Sequence, residues 1–366
     1  MHKTLVTVNW LVVAALIISY ISVYISPVYI WWPAFFGLAY PVLLIFNLLF
    51  ITYWLIRRKW LFLISLFAIL IGWIHISGFL QLDFANKKQQ DTDPTFSLVS
   101  YNVRLFDLYN WSNNKETRDK ILSFFKEENP EIIGFQEFYY DQTKRFNTLD
   151  TLVKFLDAKN IHTAFSTTVR GVYHFGIATM SKYPIVKRGE IKFRNTKNLC
   201  IYSDIKIGND TVRVFNSHLE SIHLQPENYR YIDSIEILND SNQFAGARDI
   251  MKRIKYAYQK RAGQANIISQ HIKKSPYPVI VCGDFNDTPV SYTYRKIRGS
   301  LKDAFIESGT GFGLTYNRGF PALRIDYIFH SEKIISSDFR IEKVNFSDHF
   351  PLLCEMKILQ NEVTVQ

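Results

Sequence analysis

Residues 1–84 carry almost no charge, and this confines that part of the chain to a membrane or to the interior of something larger. Only Lys3, Arg57, Arg58, Lys59 and Asp83 are formally charged there. Three apolar stretches fill the segment, at residues 5–25, about 30–56 and 60–82. Crossing a bilayer takes about 20 mostly apolar residues, and each stretch supplies them. The first is a poor cleavable signal, because its apolar region is too long, no small-x-small site follows it, and more apolar sequence comes straight after. The spacing therefore predicts an α-helical transmembrane region of three spans over residues 1–84. His75 is the only ionisable side chain inside a span, Pro41 is placed to kink or split the second, and no acid sits mid-membrane. Transport and proton relays place charges there, so the bundle reads as an anchor.

Lys/Arg-rich loops stay cytoplasmic. With three spans, Lys3 and Arg57-Arg58-Lys59 fall on one side, and everything after residue 82 falls on the other. Lys87 and Lys88 run against this bias. The expected location is the cytoplasmic (inner) membrane, multi-pass, with the rest of the chain on the extracytoplasmic side. Residues 85–95, containing Lys87-Lys88-Gln89-Gln90-Asp91, read as a polar linker, and residues 96–366 as a separate domain. Of the formal net charge of +10, +3 belongs to residues 1–84 and the remaining +7 to the rest. A mildly basic domain suits a phosphate-bearing substrate, nucleic acid or anionic headgroup, and suits plain solubility equally well. Cys200, Cys282 and Cys354 each sit in an apolar run without C-x-x-C spacing, so they read as buried free thiols.

From residue 96 the pattern alternates strands and helices. Strands are predicted at 96–103, 131–135, 200–207, 211–215, 279–282, 325–329 and 352–358, and helices at 115–128 and 247–272. Gly208-Asn209-Asp210 is a hairpin signal. Hairpins mixed with helical crossovers point to packed sheets flanked by helices. Residues 221–245, with His223, Asn228, Tyr229, Asp233 and Glu236, read as a polar loop over a cleft rim.

Six short polar motifs punctuate this region: Ser100-Tyr101-Asn102-Val103, Phe135-Gln136-Glu137, Asn216-Ser217-His218-Leu219-Glu220, Gly283-Asp284-Phe285-Asn286-Asp287, Arg324-Ile325-Asp326-Tyr327-Ile328-Phe329 and Ser347-Asp348-His349-Phe350-Pro351. Each puts a carboxylate, carboxamide or imidazole at or just beyond the end of an apolar run, where a buried strand emerges into a cleft. Such a set, lacking a nucleophilic Ser or Cys, activates water. Phosphate ester hydrolysis needs charge neutralisation, an in-line water and help for the leaving oxygen. Hard oxygen ligands holding Mg²⁺ supply part of each. Gly283 permits a tight turn, and Asp284 and Asn286, two apart in extended chain, point to the same side.

In this order the motifs resemble those of the endonuclease/exonuclease/phosphatase superfamily, over about residues 96–358. The resemblance implies a four-layer α/β sandwich of two packed sheets flanked by helices. It also implies metal ligation by Glu137, with Asn102 binding metal or phosphate and Asp348 as a further metal or supporting carboxylate. Asp284 would orient or deprotonate the water, Asn286 would hydrogen-bond the phosphate, and His349 would contact the phosphoryl oxygens with Asp326 on its other ring nitrogen. His218 stands in a Ser-His-Leu sequence similar to that of deoxyribonuclease-I-like nucleases, inositol polyphosphate 5-phosphatases and bacterial sphingomyelinases, where His is the leaving-group acid. The expectation is a membrane-anchored hydrolase using Mg²⁺, with Mn²⁺ as an alternative, on a lipid headgroup or small phosphodiester. The alternatives are an extracytoplasmic nuclease and a non-catalytic membrane scaffold. No protein partner is expected.

Overall fold

The computed structural model describes residues 2–82, 95–143, 146, 148–223, 240–318 and 323–359. The linker expected at 85–95 lies almost wholly outside them, as do Asn228, Tyr229, Asp233 and Glu236 of the expected rim loop. The chain forms two compact units, Met1–Trp73 with Glu220–Asn266 and Asn286–Lys296, and Ile74–Leu219 with Ile267–Phe285 and Ile297–Gln366.

The first unit is helical. Helices span His2–Ser22, Pro33–Leu38, Tyr40–Ile56 and Phe62–Ile71. Pro33 and Pro41 each sit in the first turn of their helix, where a missing N–H costs nothing, so the prolines start helices and divide the second apolar stretch. Gly72 closes the helix before it. This corrects the three-span reading. Among the described residues one helix, Lys3–Ser22, is long and apolar enough to cross a bilayer, with mean hydropathy 2.1. The 17 residues of Tyr40–Ile56 reach only about 25 Å at 1.5 Å per residue, short of a hydrocarbon core of about 30 Å. The third stretch ends as a strand, Leu80–Gln81.

One buried amide ties three of these helices together: Asn9 donates to Ser65 Oγ at 2.7 Å and accepts from Trp54 Nε1 at 2.8 Å. Residues far along the chain join the same unit. Lys255 Nζ lies 5.0 Å from the Trp31 ring centroid, Arg295 stacks over Tyr24 at 4.0 Å, and Phe35 packs on Tyr258. Arg261, buried, donates to Asp287 at 3.2 Å and to the Glu220 carbonyl at 2.9 Å.

The second unit is built on strands β1 (Leu80–Gln81), β2 (Phe96–Asn102), β3 (Ile132–Asp141), β4 (Asn160–Val169), β5 (Tyr173–Ser181), β6 (Ile185–Lys192), β7 (Leu199–Ile207), β8 (Asp210–His218), β9 (Val279–Asp284), β10 (Lys302–Asp303), β11 (Gly311–Phe312), β12 (Asp326–His330), β13 (Ile334–Ile341) and β14 (Leu352–Ile358). They form two six-stranded sheets, ordered β13-β14-β2-β3-β5-β4 and β10-β12-β9-β8-β7-β6, and a small ribbon of β1 with β11. Each large sheet has one parallel pair near its middle, β2 with β3 and β8 with β9, and antiparallel neighbours elsewhere.

Apolar residues of both sheets, including Leu98, Ile132, Val212, Val214, Ile280 and Leu352, meet in one buried core. On the opposite face of the first sheet, Ile121, Leu122 and Phe125 of helix Thr117–Glu128 and Leu152 of helix Thr148–Leu156 cover Val99, Tyr101, Ile133 and Phe135. The sheets are also bonded through polar groups. Gln136 Nε2 donates to Asn216 Oδ1 at 2.8 Å, and Asn216 Nδ2 donates to the carbonyls of Ala178 and Phe135. Buried amides stay in a core when paired, and the Gln136 Nε2–Asn216 Oδ1 bond pairs these two across it. The three cysteines are buried and free, and burial pushes the thiols of Cys200 and Cys282 up to about 12.

Candidate active site

A parallel pair brings two C-terminal strand ends to the same edge, so β2, β3, β8 and β9 all deliver their ends to one side of the sandwich. Asn102 ends β2, His218 ends β8, Asp284 ends β9, and Asp326 opens the antiparallel β12 at the same edge. His218 is in register with Asp284, and Asp284 with Asp326, so these three stand in a row on adjacent strands. Gly283 makes that row possible. Its φ is +133°, and a Cβ there would lie 2.0 Å from the Ser217 carbonyl oxygen. Glu137 reaches the same edge from inside β3 by way of a bulge. The β3–β5 register shifts between Phe135 and Phe138, and Glu137 takes a left-handed φ of 49°. Gln136 is thereby buried between the sheets while Glu137 keeps about a third of its side chain exposed.

The side chains converge. Asn102 Nδ2 lies 3.0 Å from Asp284 Oδ2 and 3.4 Å from Glu137 Oε1. His218 Nε2 lies 3.7 Å from Asp284 Oδ2 and 3.9 Å from Glu137 Oε1. His349 Nε2 stands 3.7 Å from the same Asp284 oxygen, and its Nδ1 bonds Asp326 at 2.9 Å. Burial opposes charging of His349, but the carboxylates of Asp326 and Asp284 outweigh it and raise its pKa to about 10. That favours the protonated ring, in which Nδ1–H is donated to Asp326 and Nε2–H is turned toward Asp284.

This donor set fits a divalent cation. Two carboxylates, Glu137 and Asp284, face one point beside a carboxamide, and like charges so close call for a counter-ion between them. Ligand atoms of Asp284, Asp326 and His349 also lie within 4.8 Å of one another. The 2.9 Å bond between His349 and Asp326 makes that trio a carboxylate–imidazole pair beside Asp284.

Asp348 takes a different place. Its Oδ2 lies 3.3 Å from Arg104 Nε and 3.7 Å from Arg318 Nε, so its carboxylate faces guanidinium groups. Asn286 follows Asp284 by two residues and has a left-handed φ of 53°. Ser347 donates to the Asn102 carbonyl at 2.8 Å, holding the closing motif against the first.

Several supporting residues left no signal in the sequence. Arg104 to Asp107 are four successive non-glycine residues with φ between 46° and 58°. Left-handed backbone costs about 1–2 kcal/mol per residue, so strain is stored directly after Asn102. Phe106, buried against Phe135 and Phe138, pins this turn, and Arg104 lies over the Trp111 ring at 4.4 Å. Thr315 Oγ1 accepts from the amides of Ile325 and Asp326, and the Tyr316 ring packs edge-on to His349 at 5.0 Å. Only contacts between distant residues reveal these.

The chain belongs to the Endonuclease/Exonuclease/phosphatase family, whose model matches residues 99–349. Residues 2–79 match a second model, a domain of unknown function (DUF8431). No curated protein sequence matches the chain. Among solved structures, an endonuclease/exonuclease/phosphatase from Beutenbergia cavernae is similar at 14% identity and TM-score 0.53, covering 73% of this chain and 72% of that one. The human Nocturnin catalytic domain with bound sulfate is similar at 17% identity and TM-score 0.51, covering 72% and 94%. D. rerio TDP2 complexed with a single-strand DNA product is similar at 18% identity and TM-score 0.50, covering 72% and 100%. These likenesses establish the fold. Membership of the family makes the chain a hydrolase of phosphoester bonds.

Proposed function

We propose that this chain is a membrane-anchored, Mg²⁺-dependent phosphoesterase acting on a lipid headgroup or small phosphodiester. The observation that carries the reading is the approach of Glu137, His218 and His349 to Asp284, in steps under 4 Å, inside the family-matched region. Glu137 and Asn102 would hold the cation, with Asp348 supporting from its place between Arg104 and Arg318. A bound Mg²⁺ would neutralise the phosphoryl oxygens and lower the pKa of a coordinated water.

The side chains do the rest. Asp284, pre-placed by Gly283, orients and deprotonates the water, while Asn286 donates its amide to the phosphate. His349, charged through Asp326, donates Nε2–H to a phosphoryl oxygen as negative charge grows there. His218 gives its proton to the leaving oxygen.

Anchoring is supported by the apolar surface of the helical unit. Trp10, Leu11, Leu49, Ile56 and Ile71 are all more than half exposed, and only 28% of the Lys3–Ser22 window is buried. A soluble protein rarely exposes so much apolar surface. With Lys3–Ser22 as the one span, Lys3 and Arg57-Arg58-Lys59 fall on opposite sides and set no orientation, so protease protection in spheroplasts decides which side the catalytic unit faces.

The full-length chain in mild detergent should hydrolyse bis-p-nitrophenyl phosphate with Mg²⁺. Chelator or Asp284→Ala should remove that activity. Inertness on a broad phosphoester panel with both Mg²⁺ and Mn²⁺ would refute the proposal and favour the scaffold reading. Headgroup release from vesicles compared with nicking of plasmid DNA separates a lipid enzyme from a nuclease.

A further inference from the structure

A path of contacts runs from the segment just after the apolar helices to the His349 side of the site. It starts at Gly78 and Phe79. Arg324, fully buried, donates Nη1 to the Gly78 carbonyl at 3.0 Å and Nη2 to Asp303 at 2.5 Å, with its guanidinium over Phe305 and Tyr327. The Phe79 carbonyl accepts from Gly313 at 2.9 Å, and β1 pairs with β11 through Leu80–Phe312 and Gln81–Gly311. From β11 the chain leads straight to the site. Thr315 Oγ1 caps the amides of Ile325 and Asp326, and the Thr315 carbonyl accepts from Phe350 at 2.7 Å. Tyr316 bridges His349 through backbone and packs on its ring. Asn317 donates to the Asp348 carbonyl at 2.8 Å, and Arg318 pairs with the Asp348 carboxylate.

We infer that Gly78–Gln81 and Arg324 are positioning elements of the catalytic site, setting His349, Asp326 and Asp348 through the strap of residues 311–318. A buried guanidinium with two fixed acceptors has one acceptable geometry, and losing one acceptor leaves N–H groups unpaired in the core. The strap bonds none of Glu137, Asn102 or Asp284 directly, so it governs the imidazole half of the site and reaches the cation half only through Asp348. The strand contributed by residues 80–81 therefore belongs to the enzyme, although it closes the third apolar stretch in sequence. This inference rests on the phosphoesterase reading for its kinetic consequence, but its structural content can be measured separately.

Two variants of the full-length chain test it. Gln81→Pro cannot join the β1–β11 ladder, since proline has no N–H. Arg324→Lys keeps a charge beside Asp303, but one ammonium cannot span both acceptors as the fork does. Both should lower kcat by about 10- to 100-fold, the cost of misplacing a catalytic group by about an ångström, while KM stays level. Mn²⁺ binding by electron paramagnetic resonance should be retained, weakened at most through Asp348. Hydrogen exchange at the Asn317 and Phe350 amides should rise about tenfold, while Ser100 and Phe135 in the sheet stay protected. Unchanged exchange at Asn317 and Phe350 in both variants would overturn the inference. So would loss of protection throughout together with loss of Mn²⁺ binding, which marks a merely structural role. A wild-type chain without hydrolytic activity would sink the phosphoesterase reading, and the exchange pattern would still decide whether the strap is coupled to β1.

Discussion

His162 should make the sandwich sensitive to mild acid. It lies on β4, buried, with Nδ1 2.9 Å from Ser203 Oγ on β7 of the other sheet. Burial lowers its pKa to about 4, the Arg188 guanidinium on β6 adds to the effect, and Glu190 on the same strand opposes it. In an unfolded chain the imidazole titrates near 6.5. The folded value is the lower one, so between about pH 6.5 and 4 the unfolded chain binds a proton that the folded chain excludes. The contribution is intact above about pH 6.5, declines as pH falls, and levels off below about 4. At about 1.4 kcal/mol per unit, the full loss is roughly 3 kcal/mol. Native-state hydrogen exchange of β4 and β7 amides, corrected for intrinsic rates, measures it in the full-length chain. His162→Gln keeps a hydrogen-bonding amide for Ser203 and cannot titrate. The wild type should lose roughly 3 kcal/mol more than this variant between about pH 7 and 4. Parallel curves for the two proteins would refute the reasoning.

Other outcomes follow from the same geometry. Glu137→Gln should raise the Mg²⁺ concentration needed for half-maximal activity by about tenfold or more, read from a metal titration, because one of two facing carboxylates is lost. Gly283→Ala should destabilise the second unit by about 3 kcal/mol or more, seen in urea unfolding, since the new Cβ meets the Ser217 carbonyl at a φ that alanine avoids. Gln136→Leu should cost about 1–3 kcal/mol in the same assay by leaving Asn216 Oδ1 without its partner, with the Glu137 backbone still in place.

Much of the second unit was legible in the sequence because its strands announce themselves. The 352–358 strand matches the observed β14, and Gly208-Asn209-Asp210 turns β7 into β8 where expected. Polar residues closing apolar runs marked Asn102, His218, Asp284 and Asp326, since a strand end at a sheet edge is a local pattern. What stayed hidden is non-local. Hydropathy counts residues and is blind to where Pro41 and Gly72 start and stop helices, so three long stretches gave one spanning-length helix. The bulge that turns Gln136 inward and Glu137 outward depends on pairing with β5. The ion pairs of Asp348 with Arg104 and Arg318 join residues over 200 and about 30 positions apart, and no spacing rule foretells them.

The groups proposed to hold a cation are divided between the two sheets, Asn102 and Glu137 on one and Asp284 on the other. The gap they define is therefore a gauge of how far one sheet has slid past its neighbour. A slip of an ångström, too small to expose the core, already spoils the grip on an ion whose ligand distances tolerate only a few tenths. Turnover should thus report shear in the sandwich well before any unfolding transition begins.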